Sequence, residues 1–247
     1  MANDKLGLID DIRNDELYTR LSDIETEIAA YTEFNPDVFR DKTILLPCDN
    51  PQKSNFTKFF ARNFEKLGLK KLISTTAAPD YKNKNKTYQK TIFNKSAVYT
   101  LNLSKIRGKI FTVERETFVR GLFDIGDPEW WYLEDDGDFR SDEIKNFRDE
   151  ADIIITYPPA SLFGEFMSWL FEADKKFIII ANKNCLENEE IAALLKESKI
   201  WQGKTENPDG LWFETTDYNY FDREAAKINM EKASVLWLTN IKHSGCK

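Results

Sequence analysis

The sequence predicts an α/β fold in which helices cover both faces of a doubly wound, mostly parallel sheet. Short apolar runs alternate with amphipathic segments along most of the chain, as strands and helices do in such folds. The connections between them are short and polar. With 247 residues, of which 41% are hydrophobic, the chain is long enough to bury one large core.

The first predicted elements are a helix and then a strand–helix–strand unit. Apolar residues recur every three or four positions over residues 15–33, which predicts an amphipathic helix. Residues 43–46 and 71–75 are predicted to be short buried strands. Between them, Ser54 is placed to cap a helix that Gly68 ends, and the unit has the length of a parallel crossover.

Residues 79–116 are a predicted insertion within a single domain that spans residues 1–247. The stretch 79–96 is polar and rich in lysine, which predicts a loop. Alternating runs at 97–103 and 109–114 predict an antiparallel hairpin beside the main sheet. Two interpretations of the lysines stay open, contact with phosphate groups and a solvated surface. They are Lys82, Lys84, Lys86, Lys90 and Lys95.

The alternation resumes in the second half of the chain. The predicted elements are a helix at 143–149, a strand at 152–156, a helix at 161–172, a strand at 176–181, a helix at 188–196 and strands at 211–214 and 235–239. Ligands of doubly wound sheets bind outside the carboxyl ends of the strands. A functional site is therefore expected among the loops that follow residues 46, 75, 138, 156 and 181.

Composition excludes several classes of protein. His243 is the single histidine and lies near the C-terminus, which argues against Ser–His–Asp and Cys–His hydrolases. The three cysteines are far apart, so we expect neither disulfides nor a metal site. No apolar run reaches the roughly 18 residues of a membrane span, and a cytoplasmic location without a membrane partner is expected. A net charge of -7 disfavours nucleic-acid binding without excluding it.

Two loops at predicted strand ends carry acidic residues. Residues 47–55 lack a Gly-x-Gly pattern, so a pyrophosphate site is not expected there. Asp49 suits a cationic or amino-bearing ligand instead. The alternative is a simple Pro/Asn turn, with Ser54 as the cap of the following helix. Asp138 precedes Phe139. The Asp138 carboxylate can accept a hydrogen bond from an adenine amino group, while the Phe139 side chain packs on the adenine ring. The alternatives there are a helix cap at Ser141 and a calcium loop, which lacks its downstream glutamate.

The third loop is Thr156-Tyr-Pro-Pro-Ala160, where an apolar strand runs into a Pro-Pro turn and then a helix. N6 of adenine is a poor nucleophile, because its lone pair is delocalised into the ring. An enzyme can improve it by accepting hydrogen bonds from the amino group, through an Asn or Asp side chain and the first proline carbonyl, while an aromatic ring stacks on the base. Structural punctuation is the alternative interpretation of the prolines.

Several short segments recur in a known order over nearly the whole chain. They are residues 15–19, 48–51 with 54–56, 67–73, 137–141, 151–156 with 158–159, 161–163, 174–177 with 179–182, 199–201 and 236–240. Each is weak alone, but the ordered set resembles the EcoRI-type adenine-specific DNA methyltransferase family. This resemblance implies a Rossmann-like fold of the class I methyltransferase type, S-adenosylmethionine as the cofactor and methylation of N6 of adenine in DNA.

The resemblance also implies roles by position. The implied cofactor contacts are Tyr18 and Thr19, the loop Pro47, Cys48, Asp49 and Asn50 beside the methionine moiety, and Asp138 with Phe139 at the adenine. The implied methyl-transfer site is Tyr157, Pro158, Pro159 and Ala160. The family continues beyond the segment that ends at Asn240, into a region expected to help recognise the target, whereas this sequence ends at Lys247.

The turn departs from the family pattern Asn-Pro-Pro-Phe at its first and last positions. Tyr157 cannot mimic a short amide, and Ala160 offers no stacking surface. Loss of a positioned acceptor costs about two to three orders of magnitude in rate, and loss of a base stack roughly 1–3 kcal/mol. The hypotheses are therefore an active adenine-specific DNA methyltransferase and, as the alternative, a catalytically degenerate protein of that fold that binds cofactor, nucleic acid or a protein partner. An acidic decoy of DNA is a weaker third.

Overall fold

A computed structural model describes residues 18–78, 106–119, 129–205, 210–216 and 228–246. The predicted loop at 79–96, its lysines and the predicted strand at 97–103 lie outside the described residues. Two sheets are present in the described part, one of eight strands and one of three. None of the helices described is both long and apolar enough to cross a membrane.

The described elements follow the predicted order. The strands are β1 (Tyr18–Thr19), β2 (Thr43–Leu46), β3 (Lys71–Thr76), β4 (Lys109–Glu114), β5 (Trp131–Tyr132), β6 (Ile153–Thr156), β7 (Lys176–Asn182), β8 (Trp201–Gln202), β9 (Leu211–Thr216), β10 (Ile228–Ala233) and β11 (Val235–Thr239). The helices are α1 (Leu21–Phe34), α2 (Asn55–Arg62), α3 (Phe64–Leu67), α4 (Arg115–Val119), α5 (Asp142–Glu150), α6 (Phe163–Glu172) and α7 (Glu189–Lys196), with short 3-10 turns at Ala160–Leu162 and Lys183–Glu187.

The larger sheet has the order β5-β4-β3-β2-β6-β7-β11-β8. Its centre, β3-β2-β6-β7, is parallel, which confirms the predicted doubly wound fold. Antiparallel strands extend both sides, and β11 runs antiparallel to both of its neighbours. The chain leaves β2 toward β3 on one side and returns to β6 on the other, so the topological switch point lies between β2 and β6.

The central strands are apolar on both faces because helices cover both. Alternate residues of one strand enter different cores, as Ile153 and Ile155 do on one face and Ile154 on the other. The first core joins α1 and α2 to the sheet around Tyr31, Phe60 and Trp237. The second joins α5, α6 and α7 to the opposite face. This two-sided burial explains why the strands read as continuous apolar runs.

The predicted helix ends are largely confirmed. Ser54 Oγ accepts from the Phe56 amide at 3.0 Å, and Ser141 Oγ accepts from the Ile144 amide at 3.3 Å. The predicted helix after Ser54 is divided at Asn63 into α2 and α3, and Gly68 ends α3 with φ 65°.

The structure corrects the predicted start of the first helix and the predicted place of the strand at 109–114. The helix predicted over residues 15–33 begins only at Leu21, because Tyr18 and Thr19 pair with β9 as a strand instead. That pairing builds the smaller sheet, with the order β1-β9-β10, which the sequence did not predict. The predicted strand at 109–114 is confirmed as β4, but its predicted place beside the main sheet is wrong, because it pairs within that sheet between β3 and β5.

Candidate functional site

The loop after β2 is fixed between the ends of β3 and β6. The Asp49 amide donates to the Thr75 carbonyl at 2.7 Å, and Ser74 Oγ donates to the Asp49 carbonyl at 3.0 Å. From the other side, the Thr156 hydroxyl donates to the Pro47 carbonyl. Three of the predicted strand ends therefore meet at the switch point of the sheet.

The same loop has a constrained backbone. Cys48 has a positive φ of 61°, a conformation that non-glycine residues adopt at a cost of about 1–2 kcal/mol. Asn50 Oδ1 accepts from the Gln52 amide at 3.1 Å, and the Asn50 carbonyl accepts from the Ser54 amide at 2.9 Å. These bonds turn the chain directly from the loop into α2, and such strain is typical of binding sites.

Asp49 is a buried carboxylate within this loop. Its side chain accepts from Thr57 Oγ1 at 2.8 Å, and the Thr57 and Ser74 hydroxyl oxygens lie 2.8 Å apart. Burial raises the pKa of Asp49 to about 7, against the opposing effects of hydrogen bonds from Ser54 and Thr57 and of the Lys58 charge. Among the described residues Asp49 forms no ion pair, so a cationic ligand group would favour its charged form.

Two buried hydroxyls at this edge lack hydrogen-bond partners in the described part of the chain, those of Thr19 and Thr75. Thr19 lies in β1, and its carbonyl accepts from Asn55 Nδ2 at 3.0 Å at the start of α2. Thr75 lies in β3, where its carbonyl holds the Asp49 amide. Buried polar atoms are nearly always hydrogen-bonded, so both hydroxyls fit contacts with a polar ligand or water.

A second loop reaches the carboxyl end of β3. The Ala78 amide donates to the Asp136 carbonyl at 2.7 Å. Gly137 has a φ of 77°, and a Cβ atom there would lie 2.6 Å from the Thr76 carbonyl oxygen. Only glycine permits this approach, which brings the predicted residues Asp138 and Phe139 to the same edge as the loop after β2.

Asp138 and Phe139 are both engaged within the protein. Arg140 binds the two carboxylate oxygens of Asp138, with Nε at 2.9 Å from Oδ1 and Nη2 at 2.6 Å from Oδ2. Phe139 is buried, with its ring centroid 5.2 Å from that of Phe166 and 5.7 Å from that of Trp169. The Phe139 ring thus packs in the core on α6, and Asp138 lies between that core and Arg140.

The turn after β6 holds its tyrosine against the smaller sheet. The ring centroids of Tyr157 and Phe213 are 5.3 Å apart with 33° between the planes. The Leu162 amide donates to the Pro159 carbonyl at 2.9 Å, whereas among the described residues no donor pairs with the Pro158 carbonyl. The turn therefore keeps an available first-proline carbonyl but commits the Tyr157 ring to packing.

Ala160 borders an open cleft of about 470 Å³ between α6 and the segment after β7. Its walls include Gly164 and Met167 on one side and Asn182 and Cys185 on the other. Burial raises the pKa of Cys185 to about 11, so its thiol stays protonated at neutral pH. The lining of the cleft contains none of the residues of the loop after β2.

The remaining polar residues do not form a second centre. The part of the chain described by the structure contains no cluster of three or more His, Cys, Asp and Glu side chains suited to a metal. His243 is buried, with Nδ1 accepting from the Gly245 amide at 3.1 Å and Nε2 lying 2.9 Å from the Gln202 carbonyl oxygen. Its role is to anchor the C-terminal segment.

Sequence reasoning missed Phe213 and Asn55. Phe213 contacts the turn from the smaller sheet, and Asn55 joins that sheet to α2. Asn55 lies in the segment 54–56 that carries part of the family resemblance, which indicated that the position is of interest. Its partners Thr19 and Glu214 are distant in sequence, so its contacts could not be predicted. Phe213 belongs to a predicted strand whose pairing no local pattern shows.

This fold is that of a class I methyltransferase, with an antiparallel strand, β11, placed between β7 and β8. Residues 6–246 match the family described as "Adenine-specific methyltransferase EcoRI", and the chain belongs to this family.

Three relatives are named Type II methyltransferases. The chain is 34% identical over 235 residues to M.EcoRI of Escherichia coli. The match covers 93% of this chain and 66% of the relative. It is 27% identical over 237 residues to M.MpnI of Mycoplasma pneumoniae and 28% identical over 237 residues to M.MgeORF184P of Mycoplasma genitalium. In both cases the match covers 93% of this chain and 62% of the relative. No solved structure matches the chain.

Proposed function

We propose that this protein is an S-adenosylmethionine-dependent DNA methyltransferase that acts on N6 of adenine. The observation that carries the proposal is the convergence of the Pro47, Asp138 and Tyr157 loops on one edge of the sheet, in a chain of this family. The adenine target follows from the description of the family, and the cytoplasmic location is part of the same proposal.

The residues present fit the cofactor. S-adenosylmethionine supplies an activated methyl group and carries a cationic amino group on its methionine part. Asp49, buried without an ion pair in the described part of the chain, suits that amino group. The unpaired hydroxyls of Thr19 and Thr75 suit its polar atoms, with Tyr18, Pro47, Cys48 and Asn50 around them. Asp138 would accept a hydrogen bond from the amino group of the cofactor's own adenine. Arg140 orients the Asp138 carboxylate, and Phe139 supports the loop from the core.

The turn supplies the acceptor chemistry. The Pro158 carbonyl is the group that would accept a hydrogen bond from the adenine amino group and raise the nucleophilicity of N6. The second acceptor of the family pattern, an amide, is replaced by the Tyr157 phenol, whose ring packs on Phe213. We therefore expect methyl transfer about two to three orders of magnitude slower than with both acceptors.

The same packing favours a second candidate, a degenerate methyltransferase-fold protein that binds cofactor, nucleic acid or a protein partner without turnover. Its support is specific: the Tyr157 ring contacts the core, and Ala160 has no ring to stack on a base. The two candidates differ in whether the altered turn still supports methyl transfer.

A labelled-methyl transfer assay on DNA of mixed sequence separates the candidates. The wild type is expected to transfer methyl groups slowly, and the double variant Tyr157→Asn with Ala160→Phe to transfer them faster. Because Tyr157 packs on Phe213, the variant is checked for folding by circular dichroism. Cofactor binding with no transfer by either folded protein would establish the second candidate in place of the first.

A further inference from the structure

Asn55 joins the two sheets next to the cofactor loop. It is the first residue of α2, it is only 7% exposed, and its side-chain amide donates twice. Asn55 Nδ2 lies 3.0 Å from the Thr19 carbonyl oxygen in β1 and 3.0 Å from Glu214 Oε2 in β9. One buried amide group thus holds two of the three strands of the smaller sheet, β1 and β9.

The smaller sheet contacts both halves of the proposed site. Thr19 and Phe213 are cross-strand partners in β1 and β9. Thr19 carries one of the unpaired buried hydroxyls on the cofactor side, and Phe213 stacks on Tyr157 in the turn. A shift of this sheet would therefore move a cofactor contact and the catalytic turn together.

We propose that Asn55 is a positioning residue whose amide fixes the smaller sheet against α2 and so couples the cofactor site to the Tyr157 turn. The coupling to cofactor rests on the proposed function. The attachment of the smaller sheet to α2 does not, because it follows from the hydrogen bonds of Asn55 to Thr19 in β1 and to Glu214 in β9.

Two substitutions, Asn55→Asp and Glu214→Gln, together swap the amide and the carboxylate of this pair and test the proposal. Asn55→Asp places two carboxylates and the Thr19 carbonyl together without a donor, while an aspartate in the first turn favours the helix itself. Addition of Glu214→Gln restores a donor to that pair. The matched control is Asn63→Asp, which breaks the 2.9 Å bond from Asn63 Nδ2 to the Phe59 carbonyl at the other end of α2.

Amide hydrogen exchange, measured by mass spectrometry without cofactor, reports the attachment of β1. We expect Asn55→Asp to speed exchange at Thr19 and Arg20, and Asn63→Asp to leave it unchanged. The double variant restores only the bond between positions 55 and 214, so its exchange should return part of the way to the wild-type rate. Unchanged exchange in folded Asn55→Asp would overturn the proposal.

Calorimetric titration with S-adenosylmethionine reports the coupling. Release of β1 displaces the Thr19 hydroxyl on the cofactor side, so Asn55→Asp should weaken binding at least about tenfold. The double variant should recover part of that loss, because it restores the bond to position 214 but not the bond to the Thr19 carbonyl, and Asn63→Asp should bind like the wild type. Wild-type affinity in Asn55→Asp, or no recovery in the double variant, would contradict the coupling. Absence of binding by the wild type would instead refute the proposed function, and the exchange measurement would still decide on the attachment.

Discussion

Asp49 links stability to ligand binding at the scale of a single residue. Its pKa is raised from 3.8 to about 7 by burial, so the folded protein keeps a proton that the unfolded chain has already lost. Between these two pH values the folded state binds more protons, and stability falls as the pH rises through that window. The carboxylate is therefore costly to the free protein at neutral and higher pH, which is typical of a residue kept for binding.

The first prediction concerns Asp49→Asn, which removes this titration with little change of shape. At pH 8 the variant should be more stable than the wild type, by at most on the order of 4 kcal/mol. The gain should fall to less than half at pH 5 and should disappear only below the unfolded-state pKa of 3.8. Thermal unfolding at both pH values measures the difference. An equal effect of the substitution at pH 5 and pH 8 would show that Asp49 does not titrate as a buried acid.

Glycines in two elements provide a matched pair at the scale of loops and helices. Gly137→Ala should destabilise the protein and weaken cofactor binding, because φ is positive and the added Cβ atom would meet the Thr76 carbonyl. Gly164→Ala in α6 meets no atom within 4 Å and should stabilise by up to about 1 kcal/mol. Urea unfolding and cofactor titration of both variants test the pair. Similar effects of the two substitutions would contradict the role given to the Gly137 approach.

Glu27 in α1 holds the segment after β8. It is fully buried and accepts from the Tyr31 hydroxyl at 3.1 Å, the Lys204 amide at 3.1 Å, and the Thr205 amide and hydroxyl at 2.9 and 2.8 Å. Glu27→Ala removes these four hydrogen bonds, one of them from the fully buried Tyr31 hydroxyl, and should destabilise the protein by about 3 kcal/mol or more. Glu33→Ala, on the exposed side of the same helix, serves as the control. A loss below 1 kcal/mol in urea unfolding would refute this role.

The elements that sequence predicted are those with strong local patterns. Apolar runs at β2, β6 and β7 and the caps at Ser54 and Ser141 need no distant information. By contrast, β1 has two residues, and its register depends on β9, far along the chain. For the same reason the sequence placed Tyr157 at the turn but could not show that its ring packs on Phe213.

In the described part of the chain, a three-stranded sheet contacts the eight-stranded sheet's site through Asn55 and Tyr157. The family match places residues 6–246 in one lineage, while the relatives named above extend beyond the matched length. The net charge of -7 gives no general attraction for DNA, so binding there depends on local groups. The proposed cofactor site is assembled from loops that the structure describes. Cofactor binding is therefore the part of the proposed function that experiment can test most directly.

Calorimetric titration of the wild type and Asp49→Asn with S-adenosylmethionine at pH 8 tests the central claim. We predict saturable binding by the wild type at one site, and binding weakened at least about tenfold in the variant, because a buried charge-assisted contact is lost. No binding by the folded wild type, or equal affinity in the two proteins, would contradict a cofactor site built around Asp49.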